Sequence, residues 1–420
     1  MIKRWLAQAS PTVFAAYCIV AAFCTYFCMY AFRKPFNAAE FKDLEWLGVD
    51  YKIILLIAQT LGYTFSKFIG IKVISEMTAA RRAIGIVVLV ILAEVALLAF
   101  ALVPRPYNFT FLFINGLPLG MVFGLVMSFL EGRRFSEALT AGLCASFIVA
   151  SGVMKSVGRW LIEVHGVDEF WMPFIAGAIF LGPLLFFVAM LNQIPIPTAE
   201  DVEKRSVRAP MTSVDRWAFF KRHALGLSCL LLIYIFLTVL RDFRDGFGVE
   251  IWKSIAPDGK PEIYAKSEIL IAIVVTAVCG ATMLIRNNRV ALFSALATIG
   301  VGLVIVGVAT LVFQGGAISG FTWMVLGGLG FYIPYVIFHT TLFERLIATF
   351  KDKSNIGYLM YLADAVGYLG SVGILLYKNF GAKNLSYKDF FIEASYVVTF
   401  VCLILLIVAW RYFSRQSPAK

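Results

Sequence analysis

Twelve stretches of about twenty apolar residues, separated by short polar loops, constrain this chain more than any other feature of its sequence. A helix needs roughly twenty apolar residues to cross the hydrocarbon core of a bilayer. With 60% hydrophobic and only 15% charged residues, the chain carries more apolar surface than a water-soluble protein can bury. We therefore predict an all-α integral membrane protein with twelve transmembrane helices. The stretches lie near residues 12–32, 51–75, 83–103, 109–130, 138–162, 170–192, 224–248, 266–285, 290–313, 321–345, 355–377 and 392–412.

A polar stretch, "IPIPTAEDVEKRSVRAPMTSVDRWAFFKRH", separates the first six spans from the last six. We expect an N-terminal six-helix half at 1–192, a cytoplasmic linker at 193–223 and a C-terminal six-helix half at 224–420. Lys and Arg are concentrated in the loops on the side of the two termini, and the positive-inside rule makes that side cytoplasmic. The short segments outside the spans fit a bacterial inner membrane.

The two halves resemble each other in sequence. "FRKPF" at the end of the first span has a counterpart in "LRDFRDGF" of the seventh, and "MKSVG" in the fifth span recurs as "LGSVG" in the eleventh. "GLPLGMVFGLVMSFLEGRR" in the fourth span is echoed by "GGLGFYIPYVIFHTTLFER" in the tenth. Two six-span halves related by a parallel repeat describe the major facilitator fold, in which the substrate site lies between the halves near the middle of the membrane. We predict this architecture.

Arg33 and Arg241 occupy corresponding positions of the two halves. A charge at the centre of a bilayer costs about 2.5–3.5 kcal/mol on insertion scales, so each one needs a physical reason. A guanidinium donates two parallel hydrogen bonds to a phosphate or carboxylate, and we predict that both arginines face one anion. Alternatively, Arg33 anchors the end of its span at the surface, and Arg241 forms a structural ion pair with Asp245, one helical turn later. Lys34 faces another way, and we expect it at the surface.

Six further ionisable residues inside predicted spans also need a reason. Lys67 either contacts the substrate or extends to the cytoplasmic surface, and Lys155 is deep enough to face a cavity, whereas we expect its neighbour Arg159 to reach the outer surface. Asp364 is either a proton-carrying group or a counter-ion to a cation such as Lys155. His339 is either a hydrogen-bonded packing residue or a proton relay, and Glu94 leaves the same choice open.

Several classes of function are disfavoured by what the sequence contains. The seven cysteines lie in apolar runs without CxxC spacing, which indicates core residues and neither a metal site nor disulfides. The sequence has no nucleophile elbow, HExxH motif or paired catalytic carboxylates, so we expect no enzyme and no cofactor. The net charge of +11 comes from loop residues, and no nucleic-acid-binding module accompanies it. The expected partners are a small anion and the lipid bilayer, and a monomer suffices.

Four segments give the chain a family resemblance. "YFCMYAFRKPFNAA" resembles the first-span signature of the organophosphate:phosphate antiporter family of the major facilitator superfamily. "LGYTFSKFI" is similar to that family's second span, "VLRDFRDGFGVEIW" to its seventh and "DAVGYLGSVG" to its eleventh. The resemblance implies inward-facing and outward-facing states that exchange by rocking of the halves. It also implies a phosphate held by two arginines and surrounded by a lysine and tyrosines, which here are Arg33, Arg241, Lys67, Tyr26, Tyr30 and Tyr368.

The chain departs from that family at several positions. Ser146 stands where the family has a histidine, and Thr238 stands where it has a tyrosine one turn before the second arginine. We expect a secondary transporter that moves a small organic anion, a phosphate ester or phosphate, by alternating access. Two alternatives stay open: a transport-inactive, sensor-like relative that binds a phosphorylated metabolite, and a proton-coupled carboxylate carrier.

Overall fold

Almost all of the structure is helical. The computed structural model describes residues 2–77, 79–130, 136–195, 213–350 and 356–416. Twelve long helices, numbered here as spans 1 to 12, coincide with the twelve predicted stretches. They are Pro11–Met29, Tyr51–Glu76, Ala79–Leu102, Phe109–Leu130, Ser136–Glu163, Met172–Asn192, Ala224–Gly246, Glu262–Met283, Asn288–Gln314, Gly320–Ile337, Ile356–Phe380 and Tyr387–Arg415.

The helices are long and apolar enough to cross a membrane. Eleven of them meet this description within the described ranges, and span 11 is also 25 residues long. Span 10 continues beyond Ile337 through a five-residue π-helix, Phe338–Leu342, into the helix Phe343–Phe350. Shorter helices are Ile2–Gln8, Ser213–Arg222 and Gly248–Ile255. A hairpin pairs Glu45–Trp46 with Val49–Asp50. The predicted fold class, an all-α membrane protein, is confirmed.

The chain forms two compact units. Unit 1 comprises Met1–Arg205 and Asp258–Ile269, and unit 2 comprises Ser206–Pro257 and Leu270–Lys420. Within unit 1, span 1 packs on spans 5 and 6, and span 3 packs on spans 4 and 6. Within unit 2, span 7 packs on spans 11 and 12, and span 9 packs on spans 10 and 12. Each pair recurs six spans later. The boundaries of the predicted halves and linker stay a prediction, because residues 196–212 lie outside the described ranges.

The backbones of spans 2 and 4 lie in direct contact. A Cβ atom added to Gly116 would lie 2.5 Å from the carbonyl oxygen of Gln59, and one added to Gly120 would lie 2.6 Å from the Cβ of Ser66. A Cβ on Gly62 would collide with the carbonyl of Phe113. Small residues permit such close approach of membrane helices. The two spans are therefore fixed in one register.

Span 1 ends in two tight turns. Ser10 caps its start by accepting a hydrogen bond from the N–H of Val13, and Pro11 occupies the first helical position. After Met29 the chain narrows into the 3₁₀-helices Tyr30–Phe32 and Pro35–Ala38. Pro35 cannot continue an α-helix, because it lacks an N–H and its ring crowds the preceding turn. Arg33 lies between these two turns and is 9% exposed.

Candidate functional site

Two cations share one aromatic ring in the interior of unit 1. The guanidinium carbon of Arg33 lies 3.7 Å from the centre of the Tyr63 ring, and the Nζ atom of Lys67 lies 5.1 Å from the same centre. Arg33 and Lys67 are only 9% and 8% exposed. The face of a tyrosine ring attracts a cation without removing its charge. Both side chains therefore bring positive charge to a buried place.

Tyrosines predicted to surround Arg33 lie in the same cluster. Tyr26 and Tyr30 are buried, and their rings meet edge to face at 5.4 Å. Tyr26 also contacts Phe123 at 5.3 Å, and Phe123 lies 5.7 Å from the Nζ atom of Lys67. The structure thus brings Tyr26, Tyr30, Arg33 and Lys67 together. Tyr63, one helical turn before Lys67, was missed in the sequence although its spacing from Lys67 places both on one helix face.

Two buried amides fix the backbone at Arg33. Gln59 on span 2 donates a hydrogen bond of 3.0 Å to the carbonyl of Arg33 and one of 2.9 Å to the side-chain oxygen of Asn115. Asn115 on span 4 donates to the carbonyls of Phe32 and Ala93, each at 3.0 Å. The end of span 1 leaves carbonyls without helical partners, and the two amides donate to those of Phe32 and Arg33. Neither residue was predicted from the sequence, although a polar amide inside an apolar span is a visible signal.

Span 5 carries two buried cations with different surroundings. Lys155 is 4% exposed, and its Nζ atom lies 3.2 Å from the hydroxyl of Ser151. Arg159 is 5% exposed and pairs with Glu163 one turn later and with Glu40 at 3.2 Å. The expectation that Arg159 extends to the surface is wrong, because the loop after span 1 brings Glu40 onto span 5. The guanidinium of Arg159 holds this loop in place.

Arg241 is the centre of a second cluster, in unit 2. Its guanidinium carbon lies 3.7 Å from the centre of the Tyr335 ring, the same distance as between Arg33 and Tyr63. Its Nη2 atom lies 2.8 Å from a carboxylate oxygen of Asp242, whose other oxygen accepts a hydrogen bond of 2.8 Å from Ser371. The carboxylate that pairs with Arg241 in this structure is therefore that of Asp242. Asp245 is buried one turn later, and its role as counter-ion stays a prediction.

Tyr234, His339 and Asp364 meet beside this arginine. The hydroxyl of Tyr234 donates a hydrogen bond to Asp364 and lies 3.4 Å from Nε2 of His339. Nε2 of His339 lies 3.5 Å from the same carboxylate oxygen. The Tyr335 ring lies 4.5 Å from the His339 ring and is stacked on Tyr234 at 5.5 Å. Tyr335 therefore connects the three residues to Arg241.

Tyr368 and the π-helix complete the surroundings of this cluster. Tyr368, one turn after Asp364 on span 11, is 6% exposed and interacts electrostatically with Arg241 and Tyr234. His339 lies in the π-helix Phe338–Leu342. Single π-helical turns are rare and are frequent at functional sites. Pro334 lies one turn before the π-helix, and its missing N–H removes one hydrogen bond to the preceding turn of span 10.

Glu94 on span 3 lies in an unusual environment. It is 8% exposed, and neither carboxylate oxygen has a hydrogen-bond partner among the residues that the structure describes. Span 6 packs so closely that a Cβ added to Gly177 would collide with the carboxylate. A buried polar group without a partner costs roughly 1–3 kcal/mol, and an ionised carboxylate costs more. Glu94 therefore destabilises unit 1 in this conformation.

Replacing Glu94 by methionine, which has a similar length, is expected to raise Tm by a few degrees because the unpartnered carboxylate is removed. Thermal unfolding of the purified protein in detergent, followed by intrinsic fluorescence, measures this. The matched control is Glu163→Met, which removes a carboxylate that pairs with Arg159 and should lower Tm. A lower Tm for Glu94→Met would contradict the expectation.

Solved structures of similar shape are membrane transporters. The nucleoside transporter NupG superposes with a TM-score of 0.62 at 13% identity, over 96% of this chain and 99% of that chain. A D-xylose–proton symporter gives 0.59 at 12% identity, over 96% and 98% of the two chains. The human organic anion transporter MFSD10 gives 0.56 at 13% identity, over 96% and 100%. Identities this low establish the fold alone, and that fold is the major facilitator fold.

No curated protein matches the chain by sequence. The sequence model of one family, DUF5690, does match, and it covers residues 35–416, which is most of the chain. The matched region begins at Pro35, two residues after Arg33, and includes all the spans except the first. The chain therefore belongs to DUF5690, a family of unknown function.

Proposed function

We propose that this protein is a secondary active transporter of small organic anions, with phosphate esters and phosphate as the favoured substrate class. The observation that carries the proposal is the contact of Arg33 and Lys67 with one tyrosine ring inside unit 1. Two positive charges near the same buried ring repel each other, and a bound anion offsets that repulsion.

The chemistry of the side chains suits an oxyanion. A guanidinium binds phosphate or carboxylate with two parallel hydrogen bonds, and a lysine adds a compact third donor. The hydroxyls of Tyr26, Tyr30 and Tyr63 are hydrogen-bond donors, so they are able to bind further oxygens. Arg33 lies over the faces of Tyr30 and Tyr63, which attract a cation without neutralising its charge.

Unit 2 offers a comparable arginine with a different neighbour. Arg241 lies over Tyr335 as Arg33 lies over Tyr63, but it also contacts Asp242. An anion that binds Arg241 competes with this carboxylate. Ser371 holds the other oxygen of Asp242, which gives the carboxylate a second partner when the arginine turns to the ligand. This arrangement supports reversible binding, as a carrier requires.

The relatives in structure are compatible with this assignment. One protein of the same fold, MFSD10, is described as an organic anion transporter. The sequence resemblance to organophosphate:phosphate antiporters supports phosphate esters as the substrate class. We place the protein in a bacterial inner membrane, as a monomer with both termini in the cytoplasm, where the basic loops favour that orientation.

The test is transport by the wild-type protein in proteoliposomes. Vesicles are loaded with phosphate, and uptake of labelled phosphate, glycerol phosphate, hexose phosphate and a dicarboxylate is measured. We expect saturable uptake of at least one phosphate compound, faster with an anion inside than with empty vesicles. Uptake of all four no faster than in protein-free vesicles would overturn the proposal. Binding without uptake would indicate a sensor.

A further inference from the structure

Three ionisable side chains from three helices of unit 2 converge on one point. Tyr234 comes from span 7, His339 from the π-helix that follows span 10, and Asp364 from span 11. The hydroxyl oxygen of Tyr234 and Nε2 of His339 are 3.4 Å apart, and Nε2 is 3.5 Å from the carboxylate oxygen of Asp364. We call these residues the proton triad. Tyr234 is 1% exposed and Asp364 is 9% exposed, and the side chain of His339 is 7% exposed.

The hydrogen bonds of His339 determine how many protons the triad needs. Nδ1 of His339 lies 2.9 Å from the carbonyl oxygen of Tyr335, which only accepts hydrogen bonds, so Nδ1 carries a hydrogen. In a neutral imidazole Nε2 then has none. Tyr234 supplies a single hydrogen, and it goes to Asp364. An unprotonated Nε2 and a carboxylate oxygen are both acceptors, and they repel each other at this distance.

One additional proton removes this conflict. Placed on His339 or on Asp364, it converts the contact between Nε2 and the carboxylate into a donor–acceptor pair. The charge of the triad then changes from −1, carried by Asp364, to zero. A charged group inside a membrane is costly, so the neutral, protonated form suits the buried position. The arrangement therefore fits one additional proton that the triad shares.

The triad is linked to the candidate anion site through Tyr335. That ring contacts His339 at 4.5 Å and the guanidinium of Arg241 at 3.7 Å. The ionisable groups that act on Tyr234 include Asp364, Tyr335, Arg241 and Tyr368. Those that act on Arg241 include Asp242, Tyr332, Tyr335 and Tyr368. An anion on Arg241 adds negative charge beside the triad, which favours its neutral form. By reciprocity, protonation then favours the anion.

We propose that Tyr234, His339 and Asp364 form a proton-binding site, and that its proton binds and moves together with the anion at Arg241. The π-helix is an independent observation in favour, because it places His339 in an irregular turn of the kind found at functional sites. The coupling rests on the proposed function. The existence of the proton site does not, since it concerns the protein without substrate.

Infrared spectroscopy of the full-length protein in detergent tests the site without any ligand. Spectra are recorded during a pH titration, and bands of the carboxylic acid, carboxylate and imidazolium groups report where protons bind. We expect one transition in the wild type that is lost in both Asp364→Asn and His339→Gln, because the proton is shared. Tyr234→Phe, which removes only a hydroxyl, should move the midpoint. The matched controls are Glu94→Gln, which removes a carboxyl group outside the triad, and Tyr396→Phe, which removes a hydroxyl that donates to Gln314. Both should keep the wild-type transition and its midpoint.

Two results of this titration would overturn the proposal. In the first, each variant loses only the band of the group that was replaced, and the other bands titrate as in the wild type. The residues would then bind protons independently. The other is a wild-type spectrum that contains no transition removed by Asp364→Asn. If Asp364→Asn and His339→Gln do not fold, the Tyr234→Phe midpoint decides, because an unchanged midpoint would exclude a shared proton.

Phosphate uptake into proteoliposomes tests the coupling. The external pH is held constant and the interior is either matched or more alkaline. We expect the alkaline interior to accelerate wild-type uptake several-fold, and we expect Asp364→Asn to take up phosphate at the same rate with and without the gradient. Uptake that ignores the gradient would overturn the coupling. No phosphate uptake under either condition would count against phosphate in the proposed function, and the infrared titration would still decide the proton site.

Discussion

Replacing Arg33 by lysine is expected to slow anion exchange by about tenfold to a hundredfold, because a lysine cannot make two parallel hydrogen bonds to an oxyanion. A hydrogen bond to a charged group contributes about 1.5–3 kcal/mol, and each 1.4 kcal/mol corresponds to a factor of ten. Arg241→Lys is expected to show a loss of similar size. Initial rates of phosphate exchange in proteoliposomes, at several substrate concentrations, measure both. Glutamine at either position should abolish exchange.

The matched control is Lys34→Gln. Lys34 adjoins Arg33 and is only partly buried, so removing its charge tests whether any cation at this end of span 1 matters. We expect exchange within about twofold of the wild type, since a partly exposed charge contributes little. Equal losses in Lys34→Gln and Arg33→Lys would show a general effect of charge on the loop. Exchange at the wild-type rate by Arg33→Lys would exclude two parallel hydrogen bonds between Arg33 and the anion.

Replacing Asn115 by leucine is expected to lower stability more than any other change considered. Asn115 is fully buried and supplies partners to the carbonyls of Phe32 and Ala93 and to the side chain of Gln59. The carbonyl of Ala93 lies inside span 3 and keeps its helical hydrogen bond. The carbonyl of Phe32 and the amide of Gln59 each lose a partner at roughly 1–3 kcal/mol, so the total is expected to reach about 2–6 kcal/mol. Thermal unfolding in detergent measures the loss, and transport should fall because Arg33 is no longer held.

A double variant distinguishes lost hydrogen bonds from simple misfit. Gln59→Leu alone leaves the carbonyl of Arg33 and the oxygen of Asn115 without a donor. In the Gln59→Leu, Asn115→Leu variant both amides are removed, so neither is left without its partner. The loss of stability should then be smaller than the sum of the losses in the two single variants. Additive losses would contradict a shared network. Asn115→Asp, which keeps the shape but removes the donors, should resemble Asn115→Leu in the sign of its effect.

The fold followed from the sequence because the bilayer permits few structures. A backbone in hydrocarbon must satisfy its own hydrogen bonds, so each long apolar run becomes a helix. The number of helices therefore follows from hydropathy. The sequence echoes between the halves also predict that spans 7, 11 and 12 pack among themselves as spans 1, 5 and 6 do. The proximity of Lys67 to Arg33 was suggested by the family resemblance, and the structure places both on Tyr63.

Contacts between helices were harder to predict. Hydropathy sets where a helix lies but says little about its rotation, so the partnership of Gln59 with Asn115 was not evident. Arg159 is buried because Glu40 comes from a loop whose path no periodicity describes. The contact of Arg241 with the adjacent Asp242 depends on side-chain rotamers, whereas helical spacing pointed to Asp245. The proton triad joins three helices and has no local sequence signature.

The glycine contacts between spans 2 and 4 have a mechanical consequence. Two helices whose backbones touch at Gly62, Gly116 and Gly120 cannot slide past each other without a collision of main-chain atoms. They should move as one rigid body in any conformational change of unit 1. The chain at Tyr30–Ala38, by contrast, consists of short 3₁₀ turns whose bonds are individually weak. Local rearrangement on ligand binding is therefore expected beside Arg33, with its rigid support left unchanged.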